Sequence, residues 1–183
     1  MNIQKTNILD LVIVETNLAS DSRGSFARLF CQNELKDILG QREIVQINYS
    51  KTPRIGTVRG LHFQYPPSAE MKMVRCINGR VWDVALDLRK DSQTYLKWHA
   101  EELSKDNMLM MVIPEGFAHG FQVLEKDSEL IYLHTERYTP DDEGGVNPLD
   151  KTISIKWPME VKELSERDSS RPILNEEFQG LVV

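Results

Sequence analysis

Residues 44–50 (IVQINYS), 57–63 (TVRGLHF), 73–77 (MVRCI), 81–88 (VWDVALDL), 108–113 (MLMMVI), 117–124 (FAHGFQVL) and 129–138 (ELIYLHTERY) are short runs rich in β-branched and apolar side chains. Gly, Pro, Asn, Asp or Lys clusters separate each run from the next. Such runs read as strands, and this many at close spacing predict an all-β sandwich or barrel. Within 81–88, Asp83 and Asp87 alternate imperfectly with Val84, Leu86 and Leu88. That strand is expected to be largely buried, with its carboxylates at a cavity or an edge.

Residues 8–18 (ILDLVIVETNL) predict a strand ending in the polar turn Ser20-Asp21-Ser22-Arg23-Gly24. Residues 33–39 (NELKDIL) predict a short helix, with Asn33 as cap, Glu34 in the first turn and Gly40 at the stop. The tail from Lys156 to Asp168 is a helical turn or an irregular strap across the β-structure. With 183 residues and no linker or repeat, the chain reads as one domain spanning 1–183.

A composition of 40% hydrophobic and 27% charged residues excludes collagenous and low-complexity chains. The net charge of −6 argues against a general grip on nucleic acid or an anionic membrane, so an anionic ligand needs a local cationic cluster. Cys31 and Cys76 form neither a disulfide framework nor a CxxC zinc pattern, which points to a reducing compartment. Asp10 interrupts the apolar N-terminal stretch, so no signal peptide is expected, and no apolar run is long enough to span a bilayer.

Two runs concentrate the candidate chemistry. Arg59 and His62 flank Gly60 within GTVRGLHFQ (56–64), and His119 ends the Pro-x-Gly-x-x-His pattern of IPEGFAHGF (113–121). Histidines on two neighbouring strands are expected to face one cavity. The second pattern is also the one metal-binding cupins use, but their first motif needs His-x-His, and here it reads His62-Phe63-Gln64 with Glu70 as the nearby carboxylate. A metal site therefore ranks below a metal-free one. Singly, His119 reads as a hydrogen-bonded core histidine, Lys72 as a strand-end lysine, Tyr132 as a barrel-wall tyrosine and Asp168 as a turn cap. Together, His62 as base, Asp168 as its orienting carboxylate, Lys72 as a cation for an oxyanion and Tyr132 as acid can remove a proton α to a ketone and return one from the other face.

The ordered blocks Asp21-Ser22-Arg23-Gly24-Ser25-Phe26, Gln46-Ile47-Asn48-Tyr49-Ser50, GTVRGLHFQ at 56–64, Glu70-Met71-Lys72, Asp87-Leu88-Arg89, IPEGFAHGFQVL at 113–124, Ile155-Lys156-Trp157-Pro158 and Leu164-Ser165-Glu166-Arg167-Asp168 resemble the dTDP-4-dehydrorhamnose 3,5-epimerase family of sugar-nucleotide 4-keto epimerases. The resemblance runs from Ile8 to Leu174. It implies an all-β cupin-type jelly roll with a few short helices, acting without metal or organic cofactor. It further implies a homodimer with exchanged N-terminal strands, and its soluble sugar-nucleotide substrates, with no signal peptide expected, point to the cytoplasm.

By the same resemblance, His62 is the general base, Asp168 its partner, Lys72 the enolate-stabilising cation and Tyr132 the acid. Arg23, Phe26, Gln46, Asn48, Arg59 and His119 correspond to positions that hold the diphosphate or sugar, with Arg23 and Phe26 reaching in from the partner subunit. Tyr138 corresponds to a base-stacking aromatic, and Glu143 and Arg167 to weaker substrate contacts. Arginines 23 and 59 supply the local cationic cluster that an acidic protein needs for phosphate. The sequence departs from the family at Arg28, where rhamnose-pathway members often carry Glu, and at Gly144-Gly145-Val146-Asn147-Pro148-Leu149-Asp150, which replaces a Trp-Asn-Asp turn. The expected substrate is dTDP-4-keto-6-deoxyglucose. Epimerisation at C3 or C5 alone, another nucleotide 4-keto sugar, a metal-dependent cupin enzyme and a non-catalytic sugar-nucleotide binder are the alternatives.

Overall fold

The computed structural model describes residues 1–175 and 177–183. Its elements in order are β1 (Asn2–Lys5), β2 (Val12–Glu15), β3 (Leu18–Asp21), β4 (Gly24–Ala27), α1 (Lys36–Leu39), β5 (Gln46–Thr52), β6 (Val58–Gln64), β7 (Lys72–Asn78), β8 (Arg80–Asp87), β9 (Trp98–Ser104), β10 (Leu109–Ile113), β11 (Phe117–Val123), β12 (Ser128–His134), β13 (Glu143–Gly145) and α2 (Glu166–Ser169). Two antiparallel sheets carry the fold, one of six strands in the order β1-β2-β10-β7-β12-β5 and one of five in the order β13-β6-β11-β8-β9. Neighbours in each sheet are mostly distant in sequence, the crossed connectivity of a jelly roll. The all-β expectation is met.

Period-two alternation explains the layering. Val74, Val81, Ala85, Phe117, Phe121 and Leu130 share the core between the sheets. Leu61, Phe63, Leu86 and Leu88 point outward from the five-stranded sheet and are covered by Ile153, Leu174 and Leu181 of the C-terminal strap. Met73, Val112 and Leu133 point outward from the other sheet and pack against Leu35 and Leu39 at the two ends of α1. Because both faces are covered, VWDVALDL is apolar along almost its whole length.

Three local expectations need correction. The predicted strand at 8–18 is regular only over Val12–Glu15; Ile8 and Leu11 are buried in a turn, and Leu18 opens the separate β3–β4 hairpin. The predicted helix at 33–39 shrinks to Lys36–Leu39, with Leu35 at its N-cap and no side-chain cap. Asn33 does not cap it, and Glu34 instead binds the Met1 amino group at 2.7 Å and Arg28 at 2.5 Å. Gly40 does end the helix, at φ 60°. Strand β9 (WHAEELS) was not foreseen, since His99, Glu101 and Glu102 hide its alternation. In the tail, α2 supplies a single helical turn and the rest is strap.

One irregularity positions the site. Across β6 and β11, His62 pairs with His119 but Arg59 pairs with Phe121, so β6 spends three residues where β11 spends two. This bulge puts Arg59 and His62 on the same inner face, which a regular strand would forbid. Gly60 carries it at φ 117°, and a Cβ there would lie 2.5 Å from the Gly120 Cα and 2.7 Å from the His119 carbonyl oxygen. Gly60→Ala is therefore expected to cost about 2 kcal/mol or more, through the disfavoured φ and the backbone clash. Thermal denaturation reads this directly, and an unchanged midpoint would mean that the bulge is not required.

Candidate active site

Where the inner faces of the two sheets diverge they enclose a cavity of about 490 Å³. Arg59, His62 and His119 enter from the five-stranded sheet. Lys72, Tyr132, His134, Asn48 and Ser50 enter from the six-stranded sheet. Tyr138 and Glu143 also line it. The expectation that His62 and His119 face one cavity holds, and they are direct cross-strand partners.

His62 Nε2 lies 2.6 Å from Asp168 Oδ1. The other Asp168 oxygen accepts the Gly60 N–H at 3.1 Å. Ser165 Oγ accepts the Asp168 N–H at 3.0 Å and so caps α2, the short turn that presents the carboxylate. Since a carboxylate only accepts, Nε2 carries the proton and Nδ1 the basic lone pair. Burial pushes the His62 pKa down, against the hydrogen bond and charge of Asp168, which raise it. For Asp168, burial pushes up, but the His62 and Gly60 hydrogen bonds outweigh it and hold the carboxyl below its usual range.

Lys72 is not a surface lysine: its side chain is 11% exposed. Its ammonium pairs with Glu70 Oε1 at 2.9 Å and approaches the His62 carbonyl at 3.5 Å. Tyr132 lies on the facing wall, its hydroxyl 2.8 Å from Ser50 Oγ and its ring edge-on to His119 at 6.2 Å. Burial raises the phenol pKa well above its ordinary value, so it stays protonated. His119 Nε2 is bound to the fully buried Asp83 at 2.8 Å, so it is hydrogen-bonded as a core histidine would be while also lining the cavity. Arg59 is exposed and, among the described residues, forms no ion pair; its guanidinium reaches only Thr52 Oγ1, at 3.4 Å.

At the cavity mouth the Tyr138 hydroxyl donates to Glu143 at 2.6 Å, and Glu143 is also clamped by Arg167 and Arg171. Gln46 stands behind Asn48, accepting the Tyr138 N–H and donating to Asn48 Oδ1. Arg167 touches the cavity only through Glu143. Arg23 and Phe26 do not join the cavity of their own chain: they lie on the exposed β3–β4 hairpin, where Arg23 pairs with Asp21. Arg28 pairs with Glu34, away from the cavity. The 144–150 segment places Gly145 opposite His62 on β13, and Asn147 and Asp150 brace the strap.

Sequence reasoning did not single out His134, Asp83, Ser50 or Arg171 as site residues. His134 and Ser50 were recoverable from period two, since they share the inner face with Tyr132 and Asn48. Arg171 gave no such signal. Gln64, which stands where a metal-binding cupin carries its second histidine, is bonded instead to the Ser68 and Arg137 carbonyls and the Thr139 N–H. Among the described residues no three His, Cys, Asp or Glu side chains group as a metal site. No helix among them is long and apolar enough to cross a membrane.

A base, a cation beside it and a protonated phenol on the opposite wall suit proton abstraction next to a carbonyl, with return of a proton from the other face. The family profile described as dTDP-4-dehydrorhamnose 3,5-epimerase matches residues 5–176. The enzyme of that name from Shigella flexneri is 43% identical over 169 residues, covering 92% of this chain and 93% of its own. The dTDP-6-deoxy-D-glucose-3,5-epimerase of Legionella pneumophila, solved with dTDP-4-keto-L-rhamnose, is 34% identical, with a TM-score of 0.91 over 100% of this chain and 98% of its own. A 3'-monoepimerase from Streptomyces bikiniensis, solved with dTDP-quinovose, is 28% identical, with a TM-score of 0.86 over 93% and 86% of the two chains.

Burial is expected to hold the His62 imidazole pKa below the ordinary histidine value. Asp168→Asn should lower it further, because the charge that favours the imidazolium is removed. Imidazole shifts followed by NMR against pH test both; a rise in the variant would exclude Asp168 as the stabilising partner.

Proposed function

The chain belongs to the dTDP-4-dehydrorhamnose 3,5-epimerase family and is an isomerase that epimerises a dTDP-linked 4-keto-6-deoxy sugar at C3 and C5; from that premise we propose how its own residues perform the reaction. His62 Nδ1 removes the proton from a carbon next to the C4 ketone, and Asp168 stabilises the imidazolium that forms. The electrons of the broken C–H bond move onto the C4 oxygen, where the Lys72 ammonium balances the enolate charge. Tyr132 then donates its phenolic proton to the same carbon from the opposite face. Solvent exchange takes the proton from His62 and returns one to Tyr132. Because C3 and C5 both flank C4, one base, one cation and one acid serve both carbons.

The observation that carries this reading is the contact of Lys72 Nζ with the backbone of the base at 3.5 Å, while the base is itself held by Asp168 at 2.6 Å. An α-proton and its carbonyl oxygen are neighbours in the substrate, and their two partners are neighbours here. Tyr132 belongs to the facing sheet, as return from the other side requires. The natural substrate is dTDP-4-keto-6-deoxyglucose. Its diphosphate meets Arg59, its base stacks on Tyr138, and Asn48, Gln46 and His119 contact the diphosphate or sugar, with Glu143 and Arg167 supporting the mouth. None of these steps calls on a metal or organic cofactor.

The catalytic unit is a homodimer. The β3–β4 hairpin belongs to neither main sheet, and Phe26 is 76% exposed on it. Ile47 and Tyr49 are likewise exposed on β5, an edge strand at the cavity. A second copy that covers these residues brings its Arg23 and Phe26 to the nucleotide. Cytoplasmic placement follows from a sugar-nucleotide substrate, and no nucleic acid or membrane partner is needed.

His62→Ala should reduce deuterium exchange from D2O into dTDP-4-keto-6-deoxyglucose by about a thousandfold or more. Its affinity for dTDP should stay within about threefold of the parent, since binding rests on other residues. NMR of C3 and C5 reads the first and calorimetry the second. Exchange at the parent rate would remove His62 as the base.

A further inference from the structure

We propose that Glu70 and His134 are positioning residues for the reaction, two links of one hydrogen-bonded line that fixes Lys72 at one end and Asn48 at the other. The proposal rests on the reading of Lys72 as the cation at the C4 oxygen. Strand β12 lies between β7 and β5, and His134 is the cross-strand partner of Lys72 on one side and Gln46 on the other. Tyr132, two residues earlier on the same face, stacks near the His134 ring at 6.3 Å. Among the residues of this wall, His134 alone reaches both ends.

The donors converge on the Glu70 carboxylate from both ends of the line. Lys72 Nζ donates to Glu70 Oε1 at 2.9 Å, and His134 Nδ1–H donates to Glu70 Oε2 at 2.8 Å. With its proton on Nδ1, the ring has a lone pair on Nε2, which accepts from Asn48 Nδ2 at 3.3 Å. Asn48 Oδ1 accepts from Gln46 Nε2 at 3.1 Å, and Gln46 Oε1 accepts the Tyr138 N–H at 3.2 Å. The line thus spans the cavity wall from the oxyanion cation to the nucleotide-stacking aromatic.

Burial makes the line stiff. The side chains of Lys72, Glu70 and His134 are 11%, 6% and 10% exposed. A carboxylate so enclosed needs partners for both oxygens. If His134 lost its donor, Glu70 would turn its second oxygen onto Lys72 and draw the ammonium away from the base. If His134 lost its acceptor, Asn48 would lose the contact that fixes its amide.

Two substitutions separate the two arms. His134→Asn keeps a donor at the place of Nδ1 and loses the acceptor; His134→Gln keeps an acceptor near Nε2 and loses the donor. Turnover of dTDP-4-keto-6-deoxyglucose by His134→Gln, and by Glu70→Gln, should show kcat lower by about tenfold with KM within about twofold of the parent. His134→Asn should show the reverse, with kcat within about twofold and KM raised about fivefold. Equal loss in both His134 variants, or no change in either, overturns the proposal. If the parent protein exchanges no deuterium into the substrate, the epimerase reading fails instead. The line is then judged from the ¹⁵N spectrum of the parent His134 ring: an Nδ1–H tautomer supports it and an Nε2–H tautomer overturns it.

Discussion

Because β6 carries one residue more than the stretch of β11 opposite, the Gly60 N–H leaves the sheet ladder and binds Asp168 at 3.1 Å. The same extra residue turns Arg59 and His62 to one face, so a single bulge sets the cavity's guanidinium, its His62 imidazole and the anchor of the Asp168 carboxylate. The constraint is steric as well as polar. Gly60 and Gly120 face each other so closely that a Cβ on Gly120 would lie 2.6 Å from the Arg59 carbonyl oxygen. The backbone approach that forms the bulge leaves no room for side chains.

Electrostatics then divides the cavity. Three imidazoles in it are each held by a buried carboxylate: His62 by Asp168, His119 by Asp83 and His134 by Glu70. Each pair fixes which ring nitrogen carries the proton, which is what a proton-transfer site requires. Lys72 links two of these pairs, ion-paired with Glu70 at 2.9 Å and 3.5 Å from the His62 carbonyl. Burial holds Tyr132 protonated across from it, so base and acid are kept in opposite states by their surroundings. In a chain of net charge −6, Arg59 lines this cavity with a guanidinium that, among the described residues, has no ion-pair partner.

Most of the seven runs were readable as strands because both faces of the central strands are covered, which leaves them largely apolar. WHAEELS escaped notice because its charged residues stand on a half-buried edge strand, and the helix at 33–39 was overestimated because Glu34 is recruited by Met1 and Arg28. Arg59 and His62, three residues apart, contradict period two until the bulge is seen. Asp168 lies 106 residues from its imidazole, a separation no local pattern spans; the family resemblance supplied that pair. His134 stood in plain view within a strand already identified, yet alternation alone does not say which inward residues meet substrate and which meet the core.

That base and acid act from opposite sheets is tested most directly with Tyr132→Phe and dTDP-4-keto-6-deoxyglucose in D2O, following deuterium entry and inversion at C3 and C5 by NMR. Abstraction by His62 does not use the phenol, so deuterium should still enter while inversion slows by about tenfold or more. Loss of exchange and inversion in equal measure would contradict a separate acid on the facing wall.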